Sequence, residues 1–226
     1  MKASRRSNLE RREQSREKIL DAAETLFAQG GFNGVSLKDI ARAAEVDTSL
    51  LHYYFVTKAG LFAAVLERRS EDVNRVRSQS MSDYAAAAGD QLTIRGLLQA
   101  YLQPTFDFIR SGGPSLQNYL VIIAQMNSTP AGQIAGTDVS PFDPVVQEFI
   151  RLLARARPDR SEAELYWFYH MLSGAIGLSW AQTGRIDQLS SGQCRSDDFE
   201  AICNQMVSVF AHGLDRAGDG SLIHGH

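Results

Sequence analysis

The 226-residue chain has 44% hydrophobic and 22% charged residues, a balance that excludes a protein dominated by disorder. Its formal net charge is −3, yet residues 1–70 carry 12 Lys and Arg against 9 Asp and Glu, so a basic amino-terminal part is joined to an acidic remainder. Only two cysteines are present, Cys194 and Cys203, and no apolar run approaches the ~20 residues of a bilayer span; a disulfide framework and a membrane anchor are excluded, and a cytoplasmic protein is expected.

In chain order, residues 1–14, with Lys2, Arg5, Arg6, Arg11 and Arg12, read as a flexible basic arm. Such an arm is either a solvated tail or a segment that follows phosphates and enters a minor groove. From Arg16 onward Ile19, Ala23, Leu26 and Phe27 fall at i, i+4, i+7 and i+8, the stripe of an amphipathic helix, and Gly30-Gly31 ends it in a left-handed cap. Ser36 with Asp39 forms a capping-box variant that opens a second helix at Leu37, whose apolar face of Ile40, Ala41 and Ala44 admits a crossing helix at short range. Asp47 then caps a third helix from Thr48 to about Phe55. A connection this short makes the two helices meet at a wide angle, as in a helix-turn-helix.

The third helix has two chemically different faces. Leu51, Tyr54 and Phe55 can bury, which leaves the hydroxyls of Thr48 and Ser49, the imidazole of His52 and the phenol of Tyr53 outward. These groups suit phosphates and base edges, and Lys58 follows as a point charge for a backbone phosphate. Taken alone, the HYYF run reads more readily as aromatic packing between helices, and only its context favours the DNA-facing reading.

After Lys58 a long helix is predicted to about Met81. Five further helices are predicted beyond it. Gln91 to Ile109 carries Pro104, expected to kink or break it, and Ser111 to Pro114 is a turn. Ser115 to Asn127 holds LVIIA, readable as a buried helix or a short strand; with helices on both flanks the helix is preferred. Ser128 to Ser140 is a loop, either a lid or plain surface. Pro141 starts a helix with Val145, Phe149, Leu152 and Leu153, ended by Arg157-Pro158. Ser161 and Glu164 form a capping box for the next, which carries Leu165, Phe168, Leu172, Ala175 and Ser179. The last, from about Asp197, repeats that stepping through Phe199, Ile202, Met206, Val209 and Gly213. Either both stripes face the chain's own core, or two copies pair them in a four-helix dimer interface that Gly174 and Gly177 let close up. Residues 215–226 read as a disordered tail, whose His224 and His226 are too few for a metal site. No metal or cofactor is expected.

Residues from about Glu17 to Leu66 resemble the DNA-binding domain of the TetR/AcrR family of bacterial transcription regulators. The resemblance is carried by ILDAAETLFAQGGF, GVSLKDIARAAEV and LLHYYFVTKAGLF. It implies an all-α protein with a three-helix DNA-binding domain at residues 15–60 and a helical effector-binding and dimerisation domain at 61–214. It also implies a homodimeric repressor, paired through the last two helices, that leaves an inverted-repeat operator in double-stranded DNA when a small organic effector binds. Carried over by position, Lys38, Thr48, Ser49, Leu50, His52, Tyr53, Tyr54 and Lys58 fall where the family contacts DNA. Three departures bear on that transfer. Glu45 stands where the family usually has Gly, so the turn either accepts a strained residue or takes another shape, while His52 replaces a usual Tyr and Leu50 a usual small residue. The last two put base specificity in question, since imidazole donates or accepts and Leu offers only apolar contact.

The resemblance further implies a pocket in the body. Phe106, Tyr119, Met126, Phe168, His170, Met171 and Trp180 are its candidate lining, a mixture suited to an apolar or amphipathic effector, although residue by residue it reads more readily as an ordinary helical core. Two rival readings are a DNA-bound architectural or partner-recruiting protein without an inducer, and a small helical enzyme using His170, Tyr166 and Tyr169. No phosphate loop, zinc spacing, nucleotide fingerprint or nucleophile elbow supports the enzyme.

Overall fold

The computed structural model describes residues 2–128 and 140–216, and among them every regular element is helical. In order these are α1 (Lys2–Gly34), α2 (Leu37–Ala43), α3 (Thr48–Phe55), α4 (Lys58–Ala88), α5 (Ile94–Ser128), α6 (Asp143–Ala156), α7 (Glu162–Trp180), α8 (Arg185–Leu189) and α9 (Phe199–Arg216). Two compact units are formed, one from Met1–Ser70 with Gly113–Pro141, the other from Glu71–Gly112 with Phe142–His226. Unlike the expected division near residue 60, each unit therefore uses two stretches of chain, because α4 and α5 both run on from one unit into the other. Most of the expected loop at Ser128–Ser140, and the tail beyond Arg216 with His224 and His226, lie outside the described residues.

The first unit is built on aromatic and branched side chains. Ile19, Leu20, Ala23 and Phe27 of α1 are buried with Ile40, Leu51, Leu61, Phe62 and Val65. Phe62 packs its ring edge-on against Phe27 at 5.1 Å and against Phe32 at 5.2 Å. The carboxyl-terminal part of α5 joins this core: Tyr119 is buried and its hydroxyl donates to the Leu66 carbonyl at 3.1 Å, while Gln125 Nε2 donates to the Ala28 carbonyl at 3.0 Å. The LVIIA segment is thus helical, and Ile122 and Ile123 are core residues. On the outside Arg68 ties α4 to α1 through Glu17 at 3.0 Å and Asp21 at 2.7 Å.

Three expectations are corrected in the helices. Residues 2–14 are helical and continuous with the rest of α1, in keeping with a stretch that has no Gly or Pro and is rich in Arg, Glu, Lys and Gln. Within α1 the left-handed residue is Gly31, with φ 68°, after which helical hydrogen bonding resumes to Gly34. In α5 the chain passes through Pro104 with helical dihedral angles, and the break falls at Gly113, with φ 67° and ψ −161°, where only glycine is comfortable.

In the second unit Leu97, Leu98, Tyr101 and Phe106 of α5 meet Phe149, Leu152 and Leu153 of α6 and Leu165, Phe168, Leu172 and Ile176 of α7 as buried residues. Tyr101 stacks on Phe149 with centroids 4.3 Å apart. Ser161 and Glu164 make both bonds of a capping box at the start of α7. Arg157 Nη1 donates to the Leu214 carbonyl at 2.7 Å and Arg160 Nη2 to the same oxygen at 3.2 Å, so two guanidinium groups close the carboxyl end of α9, where the helix dipole favours cations. The stripe Leu165, Phe168, Leu172 faces the unit's own core, as does Met206 of α9. A different face of α7 is open to solvent: Trp167 is 66% and Leu178 68% exposed, with Met171 and Tyr166 beside them.

Candidate nucleic-acid interface

The α2–α3 pair is set by its caps. Asp39 N–H donates to Ser36 Oγ and Ser36 N–H to the Asp39 carboxylate, each at 3.2 Å, which closes a capping box on α2. Asp39 also pairs with Arg42. Asp47 accepts the Ser49 N–H at 2.7 Å and caps α3. Hydrogen bonds from Ser36 hold the Asp39 carboxyl below the ordinary carboxylate range, and those from Ser49 do the same for Asp47. Between the helices Glu45 adopts φ 54°, so the turn keeps the left-handed shape that usually takes glycine and accepts a strained side chain in it.

At the far end of α3 the chain turns through Val56, with φ 45° and ψ −50°, and Thr57 N–H donates to the Phe55 carbonyl. This is a tight three-residue turn of a strained type, occupied by an exposed β-branched residue. Gly60 follows at a close approach. A Cβ there would lie 3.0 Å from the Phe55 carbonyl oxygen, so the small residue fixes how α4 leaves α3.

The eight residues expected at DNA divide into two groups. Lys38, Ser49, His52 and Tyr53 are exposed, Tyr53 at 65%, and Thr48 is half-exposed on the same helix. Arg12 of α1 lies over the Tyr53 ring, 5.9 Å from its centroid, and so brings a cation to this surface. Arg12 falls in the predicted arm, and no local signal pairs it with Tyr53, since that contact depends on α1 being helical so far upstream.

The other three turn inward. Leu50 is half-buried on α3. Tyr54 is half-buried and its hydroxyl donates to the Arg12 carbonyl at 2.9 Å, which makes it a brace between α3 and α1. Lys58 Nζ donates to the Val35 carbonyl at 3.0 Å and rests 4.5 Å over the Phe32 ring, so its ammonium is engaged within the unit. What the helix offers outward is a short row of hydroxyl, imidazole and phenol groups edged by Lys38 and Arg12, able to donate to phosphates and to donate or accept at base edges.

The expected effector residues are divided between the two units and the exposed face of α7. Phe106, Phe168 and Trp180 are buried in the second unit, whereas Tyr119 and half-buried Met126 belong to the first. His170 and Met171 lie on the exposed face of α7, His170 with its ring edge-on to Trp167 at 5.7 Å. An open groove of about 510 Å³ in the second unit is lined by other residues, among them Tyr84, Gly96, Gln103 and Pro104. Among the described residues no cluster of His, Cys, Asp and Glu is placed to hold a metal ion, and no single helix is long and apolar enough to cross a membrane.

Comparison with known proteins gives a consistent result along the chain. Residues 19–65 match the family model described as bacterial regulatory proteins, tetR family, and residues 99–213 match the tetracyclin repressor-like C-terminal domain. The chain is 33% identical over 212 residues to the probable HTH-type transcriptional regulator YttP of Bacillus subtilis, covering 93% of this chain and 98% of that protein. It is 26% identical over 126 residues to IcaR of Staphylococcus aureus, the HTH-type negative transcriptional regulator of the biofilm operon icaADBC, covering 54% of this chain and 60% of that one. Among solved structures, a tetR family regulator from Shewanella sp. PV-4 superposes with a TM-score of 0.61 at 14% identity, covering 88% of this chain and 97% of that one. NalD, the secondary repressor of the MexAB-OprM multidrug efflux pump in Pseudomonas aeruginosa, does so with a TM-score of 0.56 at 21% identity, covering 88% and 96%.

Proposed function

We propose, for a chain that belongs to the TetR family of bacterial transcriptional regulators, that it is a homodimeric repressor released from an inverted-repeat operator by a small organic effector. Members of that family bind DNA and are not enzymes, and this chain is a DNA-binding transcriptional regulator. Repression is the activity named for IcaR and for NalD, and we extend it to this chain.

The observation that carries the reading is the outward row of α3, in which Ser49, His52 and Tyr53 are exposed on a helix whose other face is fixed by buried Leu51 and Phe55. A helix of 8 residues held this way fits a major groove, and Lys38 and Arg12 supply flanking charge. The half-buried residues Leu50, Tyr54 and Lys58 act by holding the helix at its angle.

Dimerisation is assigned to the exposed face of α7, where Trp167, Met171, Gly174 and Leu178 recur at i, i+4, i+7 and i+11, together with Val209 and Gly213 on α9. Large apolar side chains this exposed are rarely left to solvent, and the small residues among them let a partner helix come close. A twofold pair would present two α3 helices to successive major grooves, which requires an operator with inverted half-sites. The protein would then work in the cytoplasm, at the nucleoid. The effector is assigned to the second unit, and linkage makes it weaken DNA binding by the factor by which DNA weakens effector binding.

The test is selection of duplexes from a random pool with the purified chain, followed by sizing of the complex. An inverted repeat bound by two chains is expected. A monomer indifferent to every duplex at low salt would overturn the proposal, and an operator bound without response to any small molecule would favour the reading without an inducer.

A further inference from the structure

Arg77 of α4 is only 3% exposed, and among the described residues no carboxylate lies within ion-pairing distance of it. Its Nε donates to Thr105 Oγ1 at 2.6 Å, and Thr105 is itself buried. Nη1 makes a long contact of 3.5 Å with the Tyr101 hydroxyl. The guanidinium lies between two rings, 4.4 Å from the Tyr101 centroid and 5.7 Å from that of Trp180. The rings and hydroxyls surround the charge, and the Asp143 carboxylate acts on Tyr169 at the same cluster without coming within ion-pairing distance of Arg77. Arginine does not shed its proton at any pH a protein meets, so a buried guanidinium needs an anion to offset its desolvation.

A second observation points the same way. Trp180 is 4% exposed and its Nε1–H, buried, has no acceptor. Tyr169 hydrogen-bonds to Tyr101 beside Arg77, and burial raises its pKa, so its phenol keeps its proton. The cluster therefore combines a cation and an unused N–H donor, and its walls are aromatic, with Phe149 stacked behind Tyr101. In a native protein a buried donor without an acceptor calls for an explanation.

We infer that the effector of this protein is an amphipathic monocarboxylate, whose carboxylate pairs with Arg77 and accepts from Trp180 Nε1 while its apolar body lies among the rings of the second unit. The inference rests on the effector-released repressor proposed above and names its ligand class. A carboxylate fits because it is all acceptor and matches the guanidinium fork with two parallel bonds. Tyr101 and Trp180 flank the charge in this form, so entry requires the rings to part, a change that the Trp180 indole will report.

The test uses the full chain, with 4-phenylbutyrate and octanoate as probes and their primary amides as neutral counterparts, read by calorimetric titration and tryptophan emission. At least one acid is expected to bind at least tenfold more tightly than its amide. That preference should vanish in Arg77→Met and shrink in Arg77→Lys, which keeps the charge but not the fork. Without probe, Arg77→Met should melt no lower than the wild type, because the desolvated charge it removes outweighs the Thr105 hydrogen bond it loses. A merely bracing arginine predicts the reverse, a lower melting temperature and an unchanged preference for acid over amide. If Arg77→Met fails to fold, Arg77→Lys and Trp180→Phe decide, each expected to weaken the acid several-fold and leave the amide unchanged. Acids and amides binding alike, neither acid binding, or equal preference in wild type and variants would overturn the inference. Operator titration without probe separates the two proposals. Failure of the wild type to bind any duplex sinks the repressor reading, whereas intact operator binding with no response to either acid sinks only the ligand class.

Discussion

The hydroxyl of Tyr54 donates to the main-chain carbonyl of Arg12 at 2.9 Å, across 42 residues of sequence, and so anchors α3 to an upstream turn of α1. Its neighbour Tyr53 is exposed, its ring edge-on to that of Tyr54 at 5.4 Å and under the Arg12 guanidinium. Two adjacent tyrosines on one helix thus meet the same arginine, one at its backbone and one at its side chain. The first contact is structural and the second stays available to a ligand.

Tyr54→Phe and Tyr53→Ala should therefore separate stability from binding. Removing the Tyr54 hydroxyl costs about 1 kcal/mol, the net worth of one hydrogen bond, and should lower the melting temperature while the operator is still recognised. Tyr53→Ala should leave the melting temperature within error and weaken the operator about tenfold or more. Thermal unfolding and fluorescence anisotropy on the selected duplex measure both. A Tyr53 variant that unfolds would make the ring a packing element instead.

The two lysines expected at phosphates should also part company. Lys38 is exposed, so Lys38→Ala should reduce the slope of log affinity against log salt by about 0.9 for each phosphate it neutralises. Lys58 donates to the Val35 carbonyl and covers the Phe32 ring, so Lys58→Met should cost roughly 1 kcal/mol of stability and leave that slope unchanged. Operator titrations at several salt concentrations distinguish them.

The helices were legible where the code is local. Capping boxes at Ser36 and Ser161 are four-residue signals, and both form at the positions read from sequence. What was not legible depends on partners far along the chain. Leu165, Phe168 and Leu172 and the exposed Trp167, Met171 and Leu178 are all apolar, so periodicity alone could not tell which stripe of α7 the unit buries. Lys58 read as a phosphate ligand because nothing in its neighbourhood announces the Val35 carbonyl, 23 residues upstream. Arg77 gave no signal either, since a charged residue on a long helix is ordinarily solvated and only the packed body reveals that this one is buried.

Acid should loosen the α2–α3 pair before the rest of the unit. The carboxyls of Asp39 and Asp47 are held below the ordinary 3.8 in the folded chain, chiefly by Ser36 and Ser49. A depressed folded pKa gives stabilisation that is complete above the unfolded value and is lost as pH falls through the folded one. Hydrogen exchange at the amides of α2 and α3 should accordingly accelerate as pH drops below about 3.8, once corrected for intrinsic rates. Asp39→Asn with Asp47→Asn keeps an acceptor at each cap and removes the titration, so the double variant should lose that acid-dependent step.

Relief of strain at the two turns bounding α3 should stabilise the protein. Glu45 at φ 54° and Val56 at φ 45° both hold a side chain in the left-handed half of backbone space, and neither residue is buried. An L-residue there costs roughly 1–2 kcal/mol, and more when β-branched, while glycine in its place costs about 0.5–1 kcal/mol of extra unfolded-chain entropy. The strain is the larger quantity. Glu45→Gly is expected to raise stability by about 0.5–1 kcal/mol and Val56→Gly by about 1–2 kcal/mol, with no change in the position of α3. Alanine keeps the Cβ that meets the carbonyl, so Glu45→Ala should stay near the wild type in chemical denaturation, and Val56→Ala, which loses only the β-branching, should gain clearly less than Val56→Gly. Equal gains for alanine and glycine would assign the effect to side-chain solvation and remove backbone strain from the account of how the reading helix is held.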